Sequence, residues 1–193
     1  GRVAVNLTGV SPGEAPRGHA LVRAAQWRPS TTVDASLTVL GGLGHVVSRR
    51  GSYAAYFGSG EHRVTLRVLD AGSTGGGDPT GGQDRGRPGD GVIRPGERGL
   101  VRMHLPVALP LVMGDRYVLR EDGRGETVGG GEIVDVAPAL PAARARPSAD
   151  VDDMVAERGW VDVDDLAAMT GQRRAPTVGR WVVAPGALAA TAE

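Results

Sequence analysis

The sequence predicts a mainly β protein, built of small antiparallel β-barrels and closed by a short α/β segment at its C-terminal end. Three observations predict it. Short stretches of alternating apolar and polar residues recur between residues 2 and 135, as half-buried strands require. Glycine supplies 31 of 193 residues, roughly double its usual share of about 7%, and it punctuates these stretches as turns do. After residue 149 the alternation gives way to two runs of helical composition, each opening with aspartates where a helix dipole favours them.

Taken in order, 2–7 alternates as a strand, 8–14 is a turn region, and 20–24 reads as a second strand. Arg28-Pro29-Ser30 marks a boundary, so 1–28 is set apart from the rest of the chain. In 32–40 the residues Val33, Ala35, Leu37 and Val39 share one face. Shorter strands are expected at 52–57 and 61–69. Residues 71–91 hold nine Gly, two Pro and almost no large apolar side chain, a composition that cannot offset its ordering entropy. They are expected to form a flexible loop within a domain spanning 29–137.

Strands resume at 99–105, 106–112, 116–120 and 127–135, the last carrying Gly129-Gly130-Gly131, which points to a bulge or a close backbone approach. The Ala/Pro/Arg-rich stretch 138–148 reads as a linker. Within 149–193, helices are expected at 150–158 and 163–169, with Ser148 placed to cap the first and Gly159 and Gly171 just past their ends. A short strand is expected at 180–183. Helix, helix, strand at this scale resembles the opening of a winged-helix unit, so 149–193 is read as part of one.

Charge and composition narrow the function. Net charge is zero, and all 22 basic residues are arginine, so there is no overall excess that marks a nucleic-acid binder. The distribution is uneven: 1–149 hold 18 Arg against 14 acids, whereas 150–165 hold seven acids and one Arg. The absence of cysteine excludes disulfides and thiolate metal sites and fits a cytoplasmic protein. No apolar run approaches the 18 or so residues that span a membrane, and no signal peptide opens the chain. A start without Met, directly in strand-like sequence, suggests a piece of a larger protein.

No catalytic constellation is legible. His19, His45, His62 and His104 are scattered, with no metal-ligand spacing, and Ser48 and Ser52 lack a nucleophile-elbow context. The pairs Asp152/Asp153 and Asp164/Asp165 stand at helix starts, where the dipole accounts for them. No phosphate-binding Gly-Lys-Ser/Thr loop and no Asn-Lys-x-Asp occurs, so this chain is expected to be no enzyme, with no metal and no cofactor of its own. One cluster stands out: His45, Arg49, Arg50, Tyr53 and Tyr56, with His62 and Arg63 shortly after. Basic residues interleaved with aromatics on a β-domain suit phosphate and ribose contact. They equally suit a strand edge blunted by charge against aggregation.

Several segments resemble a known family. Residues 1–9 (GRVAVNLTG) with Arg17-Gly18 are similar to the closing part of domain II of the selenocysteine-specific elongation factors, relatives of elongation factor Tu. Residues 33–40, 45–60 (HVVSRRGSYAAYFGSG), 105–109, 114–120 (GDRYVLR) and 127–135 (TVGGGEIVD) resemble domain III in order. The tail from about 149 is similar in place and texture to the start of the winged-helix domain IV.

The resemblance implies translation-factor-type β-barrels and a parent GTPase using GTP and magnesium in a domain outside this chain. It implies delivery of selenocysteyl-tRNA to a ribosome at a recoded UGA, with an mRNA hairpin bound by distal winged helices and no membrane partner. It also implies that Arg2 lines the selenocysteyl pocket, and that His45, Arg49, Arg50, Tyr53 and Tyr56 lie in a tRNA-binding segment. A fragment of another Tu-like factor and a β-barrel interaction module without an RNA role are the alternatives; the helical tail argues for the selenocysteine-specific form, since Tu-like factors end at domain III.

Overall fold

A computed structural model describes residues 4–11, 13–71 and 91–188. Most of the expected loop 71–91, and Arg2, lie outside the described residues. The elements are β1 (Ser30–Val39), β2 (Val47–Ser48), β3 (Tyr53–Phe57), β4 (Gly60–Ala71), β5 (Val92–Ile93), β6 (Arg98–Leu109), β7 (Arg116–Glu121), β8 (Glu126–Asp135), α1 (Val151–Arg158), β9 (Trp160–Asp162), α2 (Val163–Thr170) and β10 (Trp181–Val183).

Six antiparallel strands close into a barrel in the order β1-β6-β4-β3-β7-β8, with β1 pairing β8 to complete the ring. The alternation that predicts β1 is the alternation of its burial: Val33, Ala35, Leu37 and Val39 point inward and are at most 1% exposed. They meet Leu66, Met103, Leu119 and Ile133 from the other strands. The two-residue strands β2 and β5 pair with each other, placing Val47 and Ile93 in the same core.

The three glycines of β8 make closure possible. A Cβ on Gly129 would collide with the carbonyl oxygen of Thr38, one on Gly131 with that of Ser36, and one on Gly130 would lie 2.5 Å from that of Tyr117. β8 therefore sits backbone to backbone between β1 and β7, the close approach that the run of glycines foreshadows. Tyr117 ties the same region by donating its hydroxyl to the Ser36 carbonyl at 2.9 Å.

Three local expectations need correction. The strands expected at 99–105 and 106–112 are one strand, β6, which runs through Pro106. Proline cannot donate to a ladder, and it is tolerated here because the register slips around it: Thr32 pairs with His104, but Ser30 pairs with Leu109. Next, neither 4–7 nor 20–24 forms a strand. The barrel strands already satisfy each other's edges, so these segments find no pairing partner, and Val5 and Leu21 remain 61% and 72% exposed. The segment is held at Arg17, whose Nε donates to the Ser59 carbonyl at 3.1 Å.

The third correction concerns α1. Its N-cap is Asp150, which accepts from the Asp152 amide at 2.7 Å, while Ser148 accepts one step earlier, from Asp150 N. Asp162 caps α2 in the same way, and Gly159 and Gly171 end the two helices as expected, at φ of 75° and 70°. β9, a strand not anticipated between the helices, pairs with β10. The result is a helix–strand–helix–strand unit whose Val155, Val161, Leu166 and Met169 join the barrel's core cluster.

The segment 138–148 is docked against the barrel. Outside the ring, β1, β6 and β8 carry Asp34, Arg102 and Asp135, all buried, although the strand alternation places them on the outward face. Arg102 pairs with Asp34 and donates to the Leu140 carbonyl at 2.9 Å. Arg158 of α1 reaches Asp135 at 2.6 Å and the Ala137 carbonyl at 2.9 Å. Each buried charge thus has an opposite partner, which burial requires. Among the described residues, no helix is long and apolar enough to cross a membrane.

Candidate nucleic-acid interface

The Arg49–Arg50 turn is built from below. Ser48 pairs with Val92, its amide donates to the Tyr53 hydroxyl at 3.1 Å, and its own hydroxyl accepts from Arg50 N at 3.3 Å. Gly51 closes the turn on the Ser48 carbonyl and leaves the space that the Tyr53 ring fills, since a Cβ there would strike that ring. With the backbone fixed from inside, Arg49 and Arg50 both project into solvent.

The five expected contact residues are not equivalent. Tyr53 is 2% exposed and belongs to the core. Burial, reinforced by Glu121, pushes its hydroxyl above the usual tyrosine range, so it serves as the strut of the turn and offers no surface to a ligand. His45 stands with Nε2 2.6 Å from Glu121 Oε2. Arg124 approaches the same oxygen at 3.3 Å.

Tyr56 is three residues beyond Tyr53 on β3, hence on the opposite face. It is half-buried and borders a shallow recess of about 630 Å³, floored by Gly130 and Gly131 and flanked by Arg98 and Arg116. His62 lies tilted beside Phe57 with ring centroids 6.3 Å apart, and Arg63 stands 3.6 Å from Asp122. The structure therefore exposes Arg49 and Arg50 on one turn, sets His45 against Glu121, places Tyr56 on a separate face, and removes Tyr53 to the interior.

Sequence reasoning missed a second group. Arg49 also borders a groove of about 800 Å³ that it shares with Arg67 of β4, His104 of β6 and Arg146 of the 138–148 segment. The outward positions of β4 were a signal for Arg67; nothing in the spacing of Arg146 announced that it would fold back beside it.

The described residues form a closed six-stranded antiparallel barrel joined to a docked helix–strand–helix–strand unit. No family model matches the chain. The selenocysteine-specific elongation factor of Desulfomicrobium baculatum is 29% identical over 133 residues, covering 69% of this chain and 18% of that protein. The crystal structure of bacterial selenocysteine-specific elongation factor EF-Sec shares the fold with a TM-score of 0.64 at 14% identity, covering 92% of this chain and 28% of that one. The chain thus resembles a fragment of a selenocysteine-specific elongation factor, and it spans less than a third of the length of either relative.

Proposed function

We propose that this chain is the tRNA-holding portion of a selenocysteine-specific elongation factor. The observation that carries the reading is the sequence match to such a factor over 133 residues, combined with an arginine turn whose backbone is fixed from the core. In this reading the parent is a GTPase of the cytoplasm that uses GTP and magnesium in a domain outside this chain. It delivers selenocysteyl-tRNA to a ribosome at a recoded UGA, and the helical unit after the barrel begins the winged-helix region that reaches an mRNA hairpin. Residues 1–28 are then the end of domain II, 29–137 domain III, and 149–193 the start of domain IV. This chain itself carries out no catalysis.

Arg49 and Arg50 hold tRNA through its phosphates, with His45 and Tyr56 as further contacts. Such contacts are electrostatic and release counterions, so affinity falls steeply with salt. The test is filter binding of tRNA to the chain and to its Arg49→Ala/Arg50→Ala variant at several salt concentrations. The variant is expected to bind more weakly, with a salt slope shallower by roughly one to two units; an unchanged affinity and slope would leave the turn a solvated edge. Arg2 is assigned to the selenocysteyl pocket, where a guanidinium favours the ionised selenol. In a factor that includes all its domains, Arg2→Ala should lower the preference for selenocysteyl- over seryl-tRNA while uncharged tRNA binding persists.

A further inference from the structure

On the outer wall, β4 and β6 align Thr65 with His104 and Arg67 with Arg102, and β6 and β1 align Arg102 with Asp34. The charge of Arg102 is consumed by that aspartate. The charge of Arg67 is not: among the described residues its guanidinium has no carboxylate partner, and the same holds for Arg49 and Arg146, whereas Arg63, Arg116 and Arg158 each reach one. Among the described residues, Arg146 donates only to its neighbour's carbonyl, Ala145, at 2.7 Å. These three arginines come from three parts of the chain (the turn after β2, strand β4 and the segment after β8). They line one groove whose single acid, among the described residues, is Asp70.

His104 adds an imidazole to the same lining; its Nδ1 is engaged by the Thr32 hydroxyl at 3.1 Å. No Phe, Tyr or Trp side chain lines the groove among the described residues, so beyond the His104 imidazole it offers charge and forked donors rather than a platform for bases.

We infer that this groove is a track for the phosphate backbone of RNA, read without regard to base sequence. The inference rests on the tRNA-holding reading and extends it: Arg49 is the shared residue, and the contact continues from the turn along β4 onto the 138–148 segment. Its volume of about 800 Å³ exceeds what one phosphate group fills. Guanidinium forks match phosphate oxygens in pairs, which a lysine point charge does not reproduce. Because Arg146 belongs to the segment that joins the barrel to the helical unit, RNA in this track would touch both the barrel and that segment.

The test uses the 193-residue chain, uncharged tRNA and an RNA duplex of unrelated sequence as probes, and two double variants: Arg67→Ala/Arg146→Ala for the groove and Arg49→Ala/Arg50→Ala for the turn. The groove variant is expected to bind both RNAs roughly tenfold more weakly, the loss of about one charge-assisted hydrogen bond. Its salt slope should be shallower by roughly 1.4 to 1.8 units, as two fewer neutralised phosphates require. If the groove variant binds like the parent while the turn variant is weakened, the track is refuted and the tRNA-holding reading stands. If both variants bind like the parent, that reading fails as well. Binding of polyglutamate but no RNA, lost on Arg67 and Arg146 replacement, would assign the groove to an acidic protein and overturn the inference.

Discussion

Arg102 grips Asp34 through two parallel hydrogen bonds, Nε to Oδ1 at 2.6 Å and Nη2 to Oδ2 at 2.8 Å, on a wall of the barrel that the 138–148 segment covers. Burial pushes the Asp34 carboxyl upward while the paired guanidinium opposes it, and the carboxylate in turn raises Arg102. The pair matters less for its net energy than for what its loss would leave behind. Truncating Arg102 to Ala strands a buried carboxylate, and urea unfolding should register a loss of about 3–5 kcal/mol. Replacing both residues together, as Asp34→Leu/Arg102→Met, should cost far less. Equal losses in the two variants would mean that the charges are solvated in the native state.

Gly130 and Gly131 should tolerate no side chain. Either one changed to Ala would press a methyl group against the Tyr117 or Ser36 carbonyl, and overpacking of this kind costs about 1–3 kcal/mol. Gly123, in open space on the β7–β8 turn, is the matched control. Thermal melts of the three variants decide it, since a Gly131→Ala protein as stable as Gly123→Ala would show that β8 can move outward without harm.

Tyr53→Phe separates architecture from recognition. It removes the acceptor for Ser48 N and keeps the ring in the core, so a loss of about 0.5–1.5 kcal/mol is expected. If the hydroxyl is only the strut of the turn, the affinity for tRNA should fall by less than in the Arg49→Ala/Arg50→Ala variant. A larger fall would return Tyr53 to the contact surface.

Acid should loosen the C-terminal unit through Asp162. Its carboxyl is held below the usual range, first by the hydrogen bond from Arg180 and then by the amides of Asp164 and Asp165. A carboxyl depressed in the fold contributes stability above its unfolded value of about 3.9, and that stability disappears as pH falls through the folded value. Trp160 and Trp181 flank Asp162 on the β9–β10 pair, so their fluorescence reports the change. Asp162→Asn should remove the part of the acid transition below about pH 4 that belongs to this residue; superimposable curves for the two proteins would exclude it.

Hydrogen exchange should divide the chain at the start of the barrel. The amides of Val5 and Leu7 lie outside any ladder, whereas those of Val118 and Leu119 lie between β3 and β8. Protection at Val5 comparable to that at Leu119 would require a partner for 4–7 that the barrel does not supply.

Much of this architecture is legible in the residues alone, for a local reason. Val33, Ala35, Leu37 and Val39 alternate with a period of two, and one face of β1 is buried in the same rhythm. Gly159 and Gly171 mark helix ends because caps depend on neighbouring backbone groups alone, although the N-cap of α1 is Asp150 and not the expected Ser148. The Arg49–Arg50 turn is likewise readable as a basic, exposed feature. What the sequence could not disclose is which distant segment covers which face. Asp34 and Arg102 look like outward strand residues, and they are buried only because 138–148 and α1 fold over them. Strand alternation puts Tyr53 and Tyr56, three residues apart, on opposite faces, but only barrel closure decides which of the two is inside. Arg49, Arg67 and Arg146 share a groove across almost a hundred residues of chain. Periodicity and capping are fixed by near neighbours, whereas burial of a charge and convergence of three arginines are fixed by strand order and docking, which only the closed tertiary structure decides.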